Sequence, residues 1–431
     1  MTRIQAIGPG AVGYLLRGCD PAHPEPGQQP EAGQEPEGEG LERGREKQAE
    51  AGIGYFLEGH GEPTGVWLGS GMEGLGLSMR AGDLAREEDL RAIFGELRFP
   101  TSERENSTKD HPIYLGAKPR AYQTLAERVD AALKAEPDAS VERRREIEVQ
   151  TARNSKSNVA YYDVTFSPVK SVSVYYAALL AAGDTELALK VRQAHDQAVR
   201  IAINSAEADV AWAKTGRHGR ASESGRTTGT WEKATGFSGV LFAHHTNRDG
   251  EPQLHAHVGI VNRVGLADGR VYAMDGRGFR PVKDAMTAAY DRALEAILSD
   301  LAHVVWVERA DGKGREIAGI DPELLDEAST RSREHVEPRI AELVEAYRER
   351  HGYDPGPQAR RKIVDQAVKD TRRPKTGPAG PAAVAAWVDR EDGRRERLLD
   401  ALEDVRDAVR GAGEAGAAPP MGTEYTPGRE M

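Results

Sequence analysis

A chain of 431 residues, 39% of them hydrophobic, can bury a large core as one big domain or two ordinary ones. Its net charge of −11 excludes a histone-like polycation, so any nucleic acid must be held by a local basic groove. The single cysteine, Cys19, excludes an intrachain disulfide and a cysteine-rich zinc site; no apolar run reaches a membrane span, and the start lacks the order of a secretory signal. A soluble, cytoplasmic protein with no membrane insertion is expected.

Residues 1–20 form a short, moderately apolar segment in which Val12, Tyr14, Leu15 and Leu16 follow a Gly-Pro-Gly turn, with order expected from Ala11. Residues 21–50 are rich in Pro, Gly, Glu and Gln, and hold eight Glu against Arg43, Arg45 and Lys47. They have almost no apolar side chain to offset the entropy of ordering, so a disordered acidic insertion is expected. The main domain spans 51–375, with Tyr55, Phe56 and Trp67 between glycine turns and a helix near 85–96. Residues 97–157 read as loops and polar helix; the basic clusters at 143–145 and 153–158 fit a solvated helix face better than a phosphate contact.

The stretch 161–180 alternates like a strand and then turns helical, and 184–212 is the clearest helix, with His195 bordering its apolar stripe as a helix-surface histidine. A Gly/Ser/Arg-rich loop (216–226), a strand pair (227–243) and a histidine-bearing hairpin follow. Strand and turn are expected at 269–281, helices near 284–303 and 335–350, and a strand at 304–310. The C-terminal part, 376–431, comprises a Pro/Gly/Ala linker, an amphipathic helix with Leu398, Leu402, Val405 and Val409 facing the core or a partner, and a frayed tail. Strands and helices mixed without βαβ alternation indicate an α+β fold, an antiparallel sheet covered by helices on one side.

Chemistry concentrates at 241–262. His255 and His257 lie two apart in an apolar run, where a strand points both to one face. His244 sits on a preceding strand-like segment, and the link between contains Asp-Gly, a turn signal that would fold the third imidazole towards the pair. His245 competes with His244, since adjacent strand residues face opposite ways. Such a pair is also compatible with partly buried polar histidines that hold no ion. Three converging imidazoles would leave part of a divalent ion's coordination sphere open, and with no carboxylate or cysteine close in sequence the set suits zinc, manganese, iron, nickel or copper better than an ordinary magnesium site. Hydrolysis and phosphoryl transfer are among the reactions such a centre supports. No Walker-type GxxxxGK[ST] occurs.

Together, HHTNRDGEPQLHAHV at 244–258 and DVTFSPVKSVS at 163–173 resemble the two hallmark motifs of the MobF-type conjugative relaxases, three-histidine HUH endonucleases. Motif order matches too, over roughly 1–375 without the insertion. The resemblance implies an antiparallel palm with a C-terminal helical fingers region, and nicking of one strand at a transfer origin by a tyrosine that becomes joined to the 5′ phosphate and is later released by re-ligation. It implies His244, His255 and His257 as ligands of a divalent ion, magnesium or manganese in this family, and Asp163 as the carboxylate that orients an imidazole. Taken alone, Asp163 is an ordinary turn or cap aspartate. The nucleophile is a tyrosine near the N-terminus, commonly within paired tyrosines; here the positions read Tyr14-Leu15 and Tyr55-Phe56, which implies Tyr14 first and Tyr55 second. Single tyrosines point to one cleavage chemistry, and Tyr55 equally fits packing beside Trp67.

Lys170 is open between a phosphate contact and a turn-stabilising role. Arg217, Arg220 and Arg226 are candidate DNA contacts, as are residues near 277–280, Lys313, Arg315 and 360–375. The partners implied are single-stranded origin DNA, accessory relaxosome proteins and a coupling protein, in a bacterial cytoplasm. Rival readings are a rolling-circle replication initiator with the same chemistry, a catalytically silent DNA-binding or scaffolding module, and a plain metallophosphoesterase.

Overall fold

The computed structural model describes residues 2–7, 65–120, 125–153, 158–216, 229–247, 249–309, 311–312, 314–371, 380–390 and 393–414. Order begins at strand β1 (Thr2–Ile7), ahead of the expected start at Ala11. Its alternation is weak, and pairing with a central strand fixes it. Strand β2 (Val66–Leu68) leads to helix α1 (Glu87–Leu90), whose first turn holds Glu87, Glu88 and Asp89 against the positive end of the helix dipole. This helix passes into a π-helical turn (Arg91–Glu96). The polar stretch that follows forms α2 (Leu125–Ala135) and α3 (Val141–Arg153).

Strand β3 (Tyr161–Phe166) is followed by α4 (Lys170–Ala181), which is apolar nearly all round and buried nearly all round. Helix α5 (Thr185–Val210) starts where the Asp184 carboxylate accepts the Leu187 backbone N–H at 3.0 Å. Strands β4 (Trp212–Thr215) and β5 (Thr230–Lys233) pair with each other, and β6 (Gly239–Thr246) with β7 (Pro252–Val261). The strand pair expected within 227–243 is therefore not made. Every residue of β6 is buried and belongs in the central sheet, whereas β5 is mostly exposed and forms an outer ribbon. A second ribbon, β8 (Val264–Gly265) with β9 (Val271–Tyr272), precedes α6 (Phe279–Ala302), which begins inside the segment expected as strand and turn. Strands β10 (Trp306–Glu308) and β11 (Arg315–Ile317) form a hairpin. The C-terminal part is helical: α7 (Pro322–Glu327), α8 (Glu337–His351), α9 (Pro357–Asp370), α10 (Gly380–Val388) and α11 (Arg394–Glu414). No described helix is long and apolar enough to cross a membrane.

The central sheet runs β1-β3-β7-β6-β2 with every neighbouring pair antiparallel. One face, bearing Val164, Phe166, Leu241, Ala256, Val258 and Ile260, packs on α4, α5 and α6, and on Val384, Trp387, Leu398, Leu402 and Val405 of α10 and α11. The amphipathic C-terminal helix thus turns its stripe to the core. Helices on one side only were expected, yet a second core covers part of the opposite face. There Trp67, Phe94 and Tyr161 pack together, with Phe94 edge-on to Tyr161 at 5.5 Å, and Val240, Phe242 and Val261 join them. Beyond this apolar end, the same face is polar.

Candidate functional site

Pleat geometry decides which side chains meet. On β7, Leu254, Ala256, Val258 and Ile260 enter the main core, so His255 and His257 project from the other face. On β6, Leu241 and Ala243 point to the main core and Phe242 away from it, which puts His244 with the pair and His245 against Tyr176, 5.8 Å between ring centroids. His244 stands opposite His255 in the register, and the rings of His244, His255 and His257 lie 5.0, 5.5 and 5.4 Å apart. Asp163 and Thr165, two apart on β3, share this face: Thr165 pairs with His257, and Asp163 faces Gly259, which has no side chain to block its reach to His257.

The Asp163 carboxylate lies 3.0 and 3.1 Å from His257 Nδ1, with Thr165 Oγ1 at 3.2 Å. Because a carboxylate accepts, Nδ1 carries the hydrogen and Nε2 keeps its lone pair. His255 Nδ1 is 2.9 Å from the Gln253 carbonyl, and the same reasoning leaves its Nε2 a lone pair. Such outer partners on ligating histidines fix tautomer and ring orientation, so the donor set fits a divalent ion. Among the described residues no group of three or more His, Cys, Asp or Glu side chains is placed to hold a metal ion as the side chains stand, so the fit rests on the donor chemistry and its outer partners. His244 and Asp163 are buried while His255 and His257 are half-buried, which gives the cluster a closed floor and an open side.

Strand β7 carries a bulge beside this cluster, where the register with β6 shifts between His244 and Thr246. Helix α4 pins it. Lys170 Nζ donates to the Pro252 carbonyl at 2.8 Å, and the Leu254 N–H donates to Ser173 Oγ at 3.0 Å. Burial pushes the Lys170 ammonium down to about 8, partly offset by the Glu251 carboxylate. In the adjoining turn, Asn247 Oδ1 accepts the backbone N–H groups of Asp249 (2.9 Å) and Glu251 (3.1 Å), while its amide donates to the buried Glu251 carboxylate at 2.5 Å. Of the two roles expected for Lys170, the geometry favours holding the turn.

The TrwC relaxase family model matches residues 39–392, most of the chain. The chain belongs to the TrwC relaxase family. Two curated relatives, both multifunctional conjugation proteins TraI, come from Escherichia coli strain K12 and E. coli, at 30% identity over 281 residues and 28% over 287; each match covers 55% of this chain and 14% of the relative. The chain thus spans about one seventh of their length. Among solved structures, the conjugative relaxase TrwC in complex with oriT DNA, in its metal-bound form, shares the fold: TM-score 0.53, 19% identity, 92% of this chain and 98% of that one. TrwC complexed with a 27-mer DNA comprising the recognition hairpin and cleavage site gives 0.51 at 17% identity, over 94% and 99% of the two chains.

Several residues expected to act in this TrwC-family chain, namely Tyr14, Tyr55, Arg217, Arg220, Arg226 and Lys313, lie outside the described residues. His195 is not the helix-surface histidine expected: it is 1% exposed between α5 and α6, and its Nδ1 is 2.7 Å from the Tyr290 hydroxyl. Burial pushes it down to about 3, so it is neutral and belongs to the core. Arg315 pairs with Glu295, and Arg277 with Asp275 at 2.8 Å. Thr165 and Ser173 were not anticipated. Thr165 was findable, since it stands two residues from Asp163 on a strand; Ser173 was not, since only the tertiary fold sets it against the bulge.

Proposed function

We propose that this TrwC-family chain is a conjugative relaxase, which nicks one strand of transfer-origin DNA by tyrosine transesterification and later re-ligates it in a bacterial cytoplasm. The observation that carries the reading is the convergence of His244, His255 and His257 on one sheet face with Asp163 hydrogen-bonded behind His257. These imidazoles would hold a divalent ion, manganese or magnesium by family likeness. When bound, the ion polarises a non-bridging phosphate oxygen and stabilises the charge developing there.

The chain's own groups do the rest. Asp163 keeps the His257 hydrogen on Nδ1, so Nε2 stays available. The nucleophile is assigned to Tyr14, with Tyr55 second. Its phenolic oxygen attacks the phosphorus, the bond from phosphorus to the 3′ oxygen breaks, and that oxygen leaves as a 3′ hydroxyl after taking a proton. An unperturbed phenol titrates near ~10, so a neighbouring base must take its proton. A phosphotyrosyl ester conserves the bond energy, which lets the 3′ hydroxyl reverse the reaction without an energy cofactor. Reach permits the assignment: Tyr14 is seven residues past Ile7, up to ~25 Å of chain, while His257 lies opposite Thr165, only ~13 Å along β3 from Tyr161, the partner of Ile7. Arg217, Arg220 and Arg226 are assigned to the DNA backbone, and accessory relaxosome proteins and a coupling protein are the further partners of the reading.

The test is incubation of the full chain with Mn²⁺ or Mg²⁺ and single-stranded oligonucleotides tiled across the DNA flanking its gene, followed by denaturing electrophoresis. A covalent adduct on the fragment bearing the new 5′ end, lost in Tyr14→Phe, is expected. Release of free 5′ phosphate with no adduct, or uncut DNA with every oligonucleotide and metal, would overturn the reading.

A further inference from the structure

The β4–β5 ribbon stands apart from the histidine face. On it, Trp231 is 52% exposed, and it alone among the chain's five tryptophans is mostly open to solvent; Trp67 and Trp387 are fully buried. A single exposed indole is ordinary; what singles this one out is how it is held. Its ring is held in place: Nε1–H donates to Asp275 Oδ2 at 2.8 Å. The Lys214 ammonium and the Arg277 guanidinium each lie 5.6 Å from the ring centroid.

Asp275 fixes this arrangement by accepting from Arg277 as well, at 2.8 and 3.0 Å, with Lys214 at 3.7 Å. Burial raises its carboxyl, but the hydrogen bonds from Arg277 and Trp231 and the Lys214 charge outweigh it and hold it at about 2, so the anchor stays ionised. Beside the ring opens a groove of about 710 Å³ lined by Lys214, Arg277 and Arg280, by the aromatic rings of Tyr162 and Tyr272, and by one carboxylate, Asp275. Arg270 sits over the Tyr272 ring at 5.4 Å. In a chain of net charge −11, this groove carries three cations against one anion.

From this arrangement we propose that Trp231 and the adjoining cationic groove form a stacking subsite for an unpaired base of single-stranded DNA, remote from the histidine cluster. The subsite rests on the relaxase reading for its ligand. An oriented indole offers a face to any base, the cations meet the phosphates on either side, and neither contact reads sequence. Tyr162 projects to the helix-covered side of the sheet, opposite the imidazoles, so the strand held here lies away from the scissile phosphate.

Tryptophan fluorescence of the full chain, titrated with a single-stranded thymidine oligonucleotide of roughly 20 nucleotides, tests this. Quenching is expected, and anisotropy of the same oligonucleotide carrying a fluorescent label should show binding weakened about tenfold in Trp231→Ala and restored in Trp231→Phe, which keeps a ring but loses the quenching signal. Quenching and Trp231→Ala weakening without an adduct from any origin oligonucleotide would support the subsite while removing the nicking reading. Adduct formation with no quenching and unchanged affinity in Trp231→Ala would overturn the subsite alone, as would equal quenching by a duplex of the same length.

Discussion

Replacing Asp163 tests whether the histidine face is built for an ion. The carboxylate is 4% exposed and spans His257 Nδ1 with both oxygens at 3.0 and 3.1 Å, so it is the main group setting that ring's tautomer and angle. Losing such an outer partner typically weakens ion binding about 10- to 100-fold. In Asp163→Asn the amide oxygen can still accept the Nδ1–H, so a loss near ~10-fold is expected, about 1.4 kcal/mol. In Asp163→Ala only Thr165 Oγ1, at 3.2 Å, remains, and one hydroxyl does not replace a charge-assisted bond; the loss should approach ~100-fold, about 2.7 kcal/mol. Calorimetric titration with Mn²⁺ reads both, with circular dichroism confirming the fold. Parental Mn²⁺ affinity in a folded Asp163→Ala would refute the argument, and so would an Asn variant weaker than the Ala variant.

Other expectations concern the scaffold. Because burial takes His195 from 6.5 down to about 3, the unfolded chain binds a proton that the folded one refuses; stability should fall as pH drops from 6.5 towards 3, and His195→Gln should flatten that slope in urea titrations. Tyr290→Phe removes the hydroxyl 2.7 Å from the buried His195 Nδ1 and should cost about 1–3 kcal/mol of unfolding free energy. Lys170 is lowered from 10.5 to about 8, so stability should rise with pH across that window, where only the unfolded chain keeps its proton; in Lys170→Met the rise should vanish. Gly69 has φ +91°, and a Cβ there would stand 2.3 Å from the Phe237 carbonyl oxygen, so Gly69→Ala should lower the urea midpoint by the equivalent of about 2 kcal/mol or more.

What the sequence disclosed followed the strength of its periodicity. The helix at 185–210 and the imidazole face of β6 and β7 were legible because long stripes and strict alternation leave one assignment. Pairing was harder. Segments 230–233 and 239–246 look like neighbours in sequence, yet the choice of partner depends on burial, which the string does not display. The strand Thr2–Ile7 escaped because its burial alternates poorly and its order comes from β3, more than 150 residues away in sequence. His195 was misplaced by the same blindness: a residue bordering an apolar stripe is exposed or buried according to what packs there, and Tyr290 arrives 95 positions later.

The two motifs that look separate in the sequence are one device in space. Strand β3 supplies Asp163 to His257 from the side, and the helix that follows it supplies Lys170 and Ser173 to the backbone of β7 from beneath. The second contribution answers a specific problem. A bulge lets β7 bend next to His255, but it breaks the ladder and leaves backbone groups without strand partners. The ammonium at Pro252 and the hydroxyl at Leu254 supply those missing partners on the buried side, so the bend need not relax. A one-residue slip of β7 would instead put His255 and His257 into the main core and Leu254, Ala256 and Val258 into water, a penalty of several buried side chains. The imidazole spacing is therefore set by the core face of the sheet, and the segment at 163–173 serves the histidines as much through its helix as through its aspartate.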